Sequence, residues 1–370
     1  MSHAWIDGRP VALHAATAEA ARLLAASRVP VVAGLGTDIA GARAAIALAE
    51  RIGAAVDHMS SDAILRDVEV MRATGMMVTT PNEARLRADV LLLIGAGLVE
   101  AWPELPARLL VRPPMAHIDE KVPRRIIWLC AGGGPTKPSG HDEVQMVGRN
   151  CKDLPALLAA LRARVAGRPV GKTSLSAKAL DALAADLRAA RFGVAVWSAA
   201  ALDPLTIEML CGLVADLNTT TRFTGLALAA ADNALGVLQV CGWMTGFPMR
   251  TGFGRGFPEH DMWRFDAERL VESGEADCAV WISAYRAAAP AWNRPVPMIA
   301  LTASNARFRQ TPRVHIDVGR PGADHDAVEH CAATGTLVPA VATNPSGAVS
   351  VADVLAHIIS ALPSMGAGPC

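Results

Sequence analysis

Tyrosine is almost missing from this chain of 370 residues: there is one, beside seven phenylalanines. An excess of charge is missing too, since 35 basic and 35 acidic side chains cancel to a formal net charge of 0. Such a balance gives nucleic acid or an anionic membrane no general attraction to the chain. No apolar run approaches the ~20 residues that span a bilayer, and the opening "MSHAWIDGRP" lacks the basic-then-apolar layout of a secretory leader. The expected location is therefore cytoplasmic. No CxxC pair occurs: Cys130, Cys151, Cys211, Cys241, Cys278, Cys331 and Cys370 stand singly, which excludes an iron–sulfur cluster or a structural zinc in the usual spacing. Most read as reduced, buried small hydrophobes. There is no G-x-S-x-G, and no Ser/His/Asp or Cys/His arrangement stands out. No catalytic residue and no metal ligand is assigned.

What is present is core. With 52% hydrophobic residues the chain can bury about two domains. Helical and strand periodicities alternate: helix 16–27, strand 30–33, helix 38–52, and strands near 76–78, 90–95 ("VLLLIG") and 126–130 ("IIWLC"). The order then repeats, with helix 176–191, strand 193–197, helix 204–217, and strands near 221–228, 278–283 ("CAVWIS") and 297–301. The fold class is α/β, read as two Rossmann-like parallel-sheet domains related by pseudo-duplication. Boundaries are expected at 1–150 for the first domain, 151–175 for a linker helix and loop, and 176–370 for the second, ending in an amphipathic helix. Trp102, Trp243, Trp263 and Trp292 sit in Gly/Pro-rich contexts, where such rings line an interface or plug a gap.

The motifs are mostly imitations. "VVAGLGTDIAG" (31–41) places Gly34 and Gly36 after a strand, but Ile39 occupies the third position of G-x-G-x-x-G. Asp57 lies where a ribose-binding acid would stand, although a lone aspartate after a strand is more often a turn or helix cap. The helix start after Thr37 is compatible with an anion. "GRPVGKTS" (167–174) resembles the end of a P-loop, yet Ala166 replaces the required glycine and a helix precedes it, so it reads as linker. In "DHDAVEH" (324–330) the pairs His325/Glu329 and Asp326/His330 have helical i,i+4 spacing, favouring a surface helix turn over a metal site. The most specific stretch is "NALGVLQVCGWMTGFPMRTGFGRGFPEHD" (233–261), a long, Gly/Pro-punctuated segment carrying Arg250 and Arg255. It reads as a functional loop whose arginines can meet carboxylate or phosphate, or as a packing loop.

These residues carry a resemblance over nearly the whole chain. "QVCGWMTGFPMRTGFGRGFP", with "LAERIGAAVD" (48–57), "RADVLLLIGAG" (87–97) and "GEADCAVWIS" (274–283), resembles the B subunits of formylmethanofuran dehydrogenase, members of the molybdopterin oxidoreductase superfamily. The resemblance implies two Rossmann-like central domains. It also implies features that are not found here: a cysteine cluster for a [4Fe–4S] centre in a small N-terminal domain, a Cys or selenocysteine ligating molybdenum or tungsten just after "GAAVD", and an acidic pterin-nucleotide contact after "IIWL". In their places stand no CxxC, "HMSSDAILRD" (58–67), and Cys130-Ala131-Gly132. Redox catalysis loses its thiolates, its soft metal ligand and its nucleotide contact.

The pattern is most like the B subunits of bacterial formyltransferase/hydrolase complexes. The expectation is a non-catalytic, cofactor-free structural subunit, whose partners are an amidohydrolase-like hydrolase subunit, a formyltransferase subunit and a C-type subunit. Such a complex moves formyl from formyl-tetrahydromethanopterin to a methanofuran-type carrier and hydrolyses it to formate, in one-carbon metabolism. For the anionic carrier the candidate contacts are Arg250, Arg255, Lys137, Trp243, Thr245, Arg307, Arg309 and Arg313. Gly34, Gly36, Thr37, Gly95 and Gly97 are expected to line a vestigial cofactor cleft. The competing readings are a redox subunit holding molybdopterin guanine dinucleotide against those glycines, and a stand-alone nucleotide-binding module.

Overall fold

The computed structural model describes residues 3–111, 124–131, 144–148, 153–228 and 230–363. The chain opens with β1 (Ala4–Ile6), β2 (Arg9–Val11), α1 (Leu13–Ala26), β3 (Pro30–Gly36), α2 (Ile39–Ile52) and β4 (Ala55–His58). It continues through α3 (Ser61–Thr74), α4 (Pro81–Arg87), β5 (Val90–Ile94), α5 (Leu98–Ala101), β6 (Arg125–Leu129), β7 (Val144–Val147), α6 (Leu154–Val165), α7 (Ala177–Arg188), β8 (Gly193–Trp197), α8 (Pro204–Leu217) and β9 (Phe223–Ala227). The remainder is α9 (Ala234–Thr245), β10 (Thr251–Gly252), β11 (Glu259–His260), α10 (Ala267–Ser273), β12 (Cys278–Ser283), β13 (Met298–Thr302), β14 (Val314–Asp317), β15 (Ala327–Cys331), β16 (Thr336–Ala340) and α11 (Val351–Ala361). No helix among the described residues is long and apolar enough to cross a membrane.

Local chemistry sets the element ends. Asp38 caps α2 by accepting the Gly41 N–H at 3.0 Å, and Gly53 closes that helix in the left-handed region at φ +70°. Thr80-Pro81 and Asp203-Pro204 pair a capping oxygen with proline in the first turn of α4 and α8. β3, β5, β8, β12 and β13 are buried at every residue, as strands covered on both faces must be.

The elements form two compact units: residues 1–61, 231–330 and 337–370, and residues 62–230 with 331–336. The first contains a nine-stranded sheet in the order β11-β10-β4-β3-β12-β13-β14-β1-β2. Its central strands β4 to β14 are parallel, and antiparallel strands flank them. On one face pack α1, α2, α9 and α11, around Leu35, Ile46, Val240 and Leu355; on the other lie Trp281, Trp292 and α10. The second unit holds an all-parallel sheet, β7-β6-β5-β8-β9, between a core built on α6, α7 and α8 and a second core that includes α4 and Trp102. Each sheet mixes the two halves of the sequence. The order β4-β3-β12-β13-β14 is two early strands beside three late ones, and β9-β8-β5-β6-β7 is the reverse.

This arrangement corrects several expectations. The split near 150 gives way to crossings at 61/62 and 230/231, because strands of each half pair with strands of the other. α6 is no linker: Leu154, Leu157, Leu158 and Leu161 are buried in the second unit's core. The expected strand at 76–78 is a single bridge, Val78 to Gly225. Residues 327–331 form β15 and not a helix turn, and residues four apart in a strand are ~13 Å apart, which dissolves both acid/histidine pairs. Residues 233–261 contain the helix α9 and the β10–β11 hairpin in place of one long loop. Cys211, Cys241, Cys278 and Cys331 are free thiols; Cys151 and Cys370 lie outside the described residues.

Candidate functional site

In doubly wound sheets a ligand crevice opens at the carboxyl ends of the two strands where the winding reverses. In the first unit those strands are β3 and β12, and in the second β5 and β8. Gly34, Gly36 and Thr37 lie at the first unit's switch point, and Gly95 and Gly97 at the second unit's.

The first switch point is filled by polar groups of the chain itself. Asp232 and Asn233, both in the left-handed region at φ +59°, lead into α9 and lie against the end of β3. The Asn233 amide donates to the Thr37 carbonyl at 2.9 Å, and its oxygen accepts the His330 N–H at 2.8 Å. Arg286, three residues past β12, grips Asp232 with two nitrogens, at 2.6 and 3.1 Å. Tyr285 donates to Glu329 at 2.8 Å, and burial, reinforced by Glu329, pushes its phenol far above the usual range. A Cβ on Gly36 would stand 3.0 Å from the Met59 methyl and 3.4 Å from the Asp232 Cβ.

His58 closes this group from below. Its Nδ1 accepts the Ser60 N–H at 2.9 Å, so Nε2 carries the proton and donates to the Asp232 carbonyl at 3.2 Å. Burial lowers its pKa to about 4, against a weaker opposing pull from Asp232. Gly34, at φ +83°, serves the sheet: a Cβ there would meet the Ile282 carbonyl oxygen at 2.5 Å, beside the register shift between Trp281 and Ser283. A group approaching Gly36 meets the Met59 methyl and the Asp232 side chain, and the helix start behind it is capped by Asp38.

The second switch point is lined differently. Gly95 and Gly97 have φ +77° and +76°, and a Cβ on them would meet the Leu202 side chain at 3.0 Å and Ala201 at 3.5 Å. The Gly95 carbonyl accepts the Trp128 indole N–H at 2.8 Å. Here the cover is a loop of small and apolar residues, Ala199–Leu202, whose backbone is held by Arg66 donating to the Ala199 carbonyl at 2.9 Å. No group of three or more metal-ligating side chains occurs among the described residues.

The candidate carrier residues differ in their surroundings. Arg250, in the left-handed region at φ +61°, is buried: its guanidinium pairs with Asp266 at 2.7 Å and Asp57 at 3.5 Å and donates to the Met262 carbonyl at 3.0 Å. Asp57 also accepts the Ala267 N–H at 3.0 Å, which ties β4 to the start of α10. Burial raises the Asp57 pKa to about 6 despite Arg250. Arg250 is thus committed to the fold, and Asp57, buried, holds the first N–H of α10, in keeping with the helix-cap reading.

Arg313 is bound by Glu19 and Asp7, and Arg309 by Asn293. Arg255 is exposed, paired with Glu259 at 2.9 Å and lying over the Phe257 ring. Arg307 is exposed and makes no ion pair among the described residues. Thr245 closes α9 by accepting the Phe247 N–H at 3.0 Å. Trp243 faces solvent. Lys137 lies outside the described residues. Sequence reasoning missed His58, Asp232, Tyr285 and Arg286, which are dispersed along the chain and meet only through strand order.

The fold, with its two switch points, defines a protein of the doubly wound α/β class in which side chains stand against the strand-end glycines Gly36 and Gly95. No family model matches the sequence. The chain is 34% identical, over 96% of its own length and 96% of the relative's, to the B subunit of the formyltransferase/hydrolase complex Fhc of Methylorubrum extorquens. It is 25% identical over 73% of its length to the B subunit of tungsten-containing formylmethanofuran dehydrogenase 2 of Methanocaldococcus jannaschii, covering 64% of that protein. Among solved structures, a chain of the crystal structure of the formyltransferase/hydrolase complex FhcABCD from Methylorubrum extorquens, in complex with methylofuran, superposes with a TM-score of 0.84 at 35% identity, covering 96% of this chain and 98% of that one. The chain belongs to the family of formyltransferase/hydrolase complex B subunits.

Proposed function

We propose that this chain is a non-catalytic structural subunit of a formyltransferase/hydrolase complex, acting in formyl transfer to a methanofuran-type carrier and its hydrolysis to formate. The observation that carries the proposal is the alignment with the B subunit of the Methylorubrum extorquens complex across 96% of both chains. The side chains at the two switch points support the non-catalytic part, because Met59 and Asp232 stand against Gly36 and Leu202 against Gly95. Its partners are then a hydrolase subunit, a formyltransferase subunit and a C-type subunit. A contribution to holding the carrier, whose glutamyl groups are anionic, falls to arginines that still face solvent: Arg255, Arg307 and Arg309. The exchanged strand order of the two sheets fits an origin by duplication of one half.

The test is purification of the tagged chain from its native cells with identification and quantification of everything retained, together with metal analysis and pterin fluorescence. Hydrolase and formyltransferase subunits in constant ratio to the chain are expected. Molybdenum or tungsten at near one equivalent with a pterin signal, or a chain that elutes alone, overturns the proposal.

A further inference from the structure

We infer that a cavity in the second unit, between the last turn of α6 and the loop that leads into α7, binds a small phosphate ester. The site goes beyond the proposed function and does not depend on it: it lies within one unit and uses none of the candidate carrier residues. The loop carries the stretch "GRPVGKTS" (167–174), which fails as a P-loop and reads as a linker from sequence. In the fold its second half does more than connect. With Arg164 of α6 and the first turn of α7 it walls a cavity of about 470 Å³, a volume typical of small-molecule sites.

The walls divide by chemistry. Val170, Leu175 and Leu180 pack on the second unit's core and give the cavity an apolar side. Arg164, Lys172 and the hydroxyls of Thr173, Ser174 and Ser176 give it a polar one. Two of these hydroxyls fix the loop itself. Thr173 donates to the Leu175 carbonyl at 2.7 Å and accepts its N–H at 3.2 Å, and Ser176 caps α7 by accepting the Ala179 N–H at 3.2 Å. The shape is thereby set in the free protein, which reduces the entropy lost on binding. Lys172 and Ser174, by contrast, spend no hydrogen bond of their side chains on the described residues. Arg164 is turned to Asp181 through Nε at 3.0 Å, and its two terminal nitrogens donate to nothing among the described residues.

The charge around the cavity has one dominant sign. Residues 154–188 carry six basic side chains and two acidic ones, in a chain whose formal charge is 0. Both acids have cations: Asp181 has Arg164, and Asp186 has Arg125 at 2.6 Å. On α8, packed against α6, Asp216 is held by Arg162 at 2.8 Å, while Glu208 lies beside Cys211 and lines a different cavity with Glu69. Asp153 stands at the other end of α6, about 16 Å along the helix from Arg164. Arg188 donates to the Arg164 and Val165 carbonyls at 3.1 and 3.3 Å and so keeps its charge beside that last turn. With Asp181 counted in full, the segments that wall the cavity set five cations, Arg164, Arg168, Lys172, Lys178 and Arg188, against one acid.

The donors select a phosphate among anions. An ammonium and free hydroxyls meet a tetrahedral dianion from several directions, whereas a planar carboxylate is best gripped by an arginine fork, and the Nε edge of Arg164 is already given to Asp181. The apolar side selects an ester over the free ion, because Val170, Leu175 and Leu180 offer a surface to the rest of the ligand.

The purified full chain is titrated by calorimetry with phenyl phosphate, inorganic phosphate and glutamate at constant ionic strength. Lys172 and Ser174 are exposed, so K172A/S174A should keep the circular dichroism spectrum of wild type. Expected is saturable binding of phenyl phosphate at one site, weaker binding of inorganic phosphate, and roughly 10- to 100-fold lower affinity in K172A/S174A. R43A, which removes an exposed arginine of the first unit, should bind as wild type does. Phenyl phosphate should also protect Lys172 of the unaltered chain from acetylation, a reading that survives if the variant misfolds. No saturable binding, equal affinity in K172A/S174A, an equal loss in R43A, or unchanged acetylation overturns the site. Glutamate binding as tightly as phenyl phosphate overturns the phosphate, and inorganic phosphate binding as tightly overturns the ester.

Discussion

The two switch points occupy equivalent places in two parallel sheets and are lined by opposite chemistry. At β3/β12 the plug is a set of charged and polar groups, Asp232 with Arg286, His58, and Tyr285 with Glu329, each satisfied by the others. At β5/β8 it is a short apolar loop, with Leu202 over Gly95 and an indole N–H taking the freed carbonyl. A polar network with buried members such as His58 and Asp232 is stable only while every member is present and in the right protonation state, whereas an apolar cover tolerates gradual loss. The first unit should therefore respond sharply to single substitutions and to acid, and the second mildly. Hydrogen exchange resolved to β3/β4 and to β5/β8 reads the two units separately.

The largest contrast is expected between two glycines that share a positive φ. Gly34→Ala drives a methyl to 2.5 Å from a backbone oxygen of the neighbouring strand and should cost about 5 kcal/mol or more, enough to prevent recovery of folded protein. Gly95→Ala meets only a movable leucine methyl, and about 1–2 kcal/mol of backbone strain is expected. Equal losses in urea titration would break the comparison.

Next in size is Arg250→Ala, which leaves Asp57 and Asp266 without their cation and should cost about 3–5 kcal/mol at neutral pH. The Asp57 pKa is already raised to about 6, so whatever stability its neutral form supplies is complete below the unfolded value of 3.8 and lost as pH rises through 6. The variant should consequently recover relative to wild type on acidification. A pH-independent deficit would show that packing, and not the buried charge, is what Arg250 supplies.

Protonation then separates the units directly. His58 is neutral in the fold with a pKa near 4, below its ordinary 6.5, so its contribution is complete above 6.5 and lost as pH falls toward 4. His58→Gln should flatten that acid limb in the β3/β4 amides by up to about 3 kcal/mol. Asp67 in the second unit has the opposite sign. Burial raises it to about 6, although the Trp197 indole donates to it at 2.9 Å, so its contribution is lost as pH rises. Asp67→Asn keeps an acceptor for Trp197 and should stabilise the β5/β8 amides by about 2 kcal/mol at pH 7.5 and not at pH 4. The smallest expected change in stability, within about 0.5 kcal/mol, belongs to Arg307→Ala, whose only predicted consequence is weaker retention of an anionic carrier. A complex of that variant retaining its carrier fully would remove Arg307 from the carrier-binding reading.

Much of the scaffold is written locally. The runs at 90–94, 193–197 and 278–283 are apolar without alternation because both faces are buried, and each is a strand where periodicity places one. α9 escapes such reading because glycines and valines give its sequence poor helix propensity and packing overrides it. β15 imitates a helix turn because a spacing of four places residues on one face in a strand as well as in a helix. The polar plug has no local signature at all. His58, Asp232, Arg286 and Glu329 come from four separate segments, and only the pairing of β3 with β12 assembles them.

That pairing also orders events during synthesis. The second unit is nearly continuous, residues 62–230, and can collect its sheet as soon as β9 has left the ribosome. The first must hold β3, β4 and their helices in waiting until β12, β13, β14 and finally α11 emerge. For more than half of translation its early strands have an unpaired edge, so this unit, and not its neighbour, is the natural client of a chaperone.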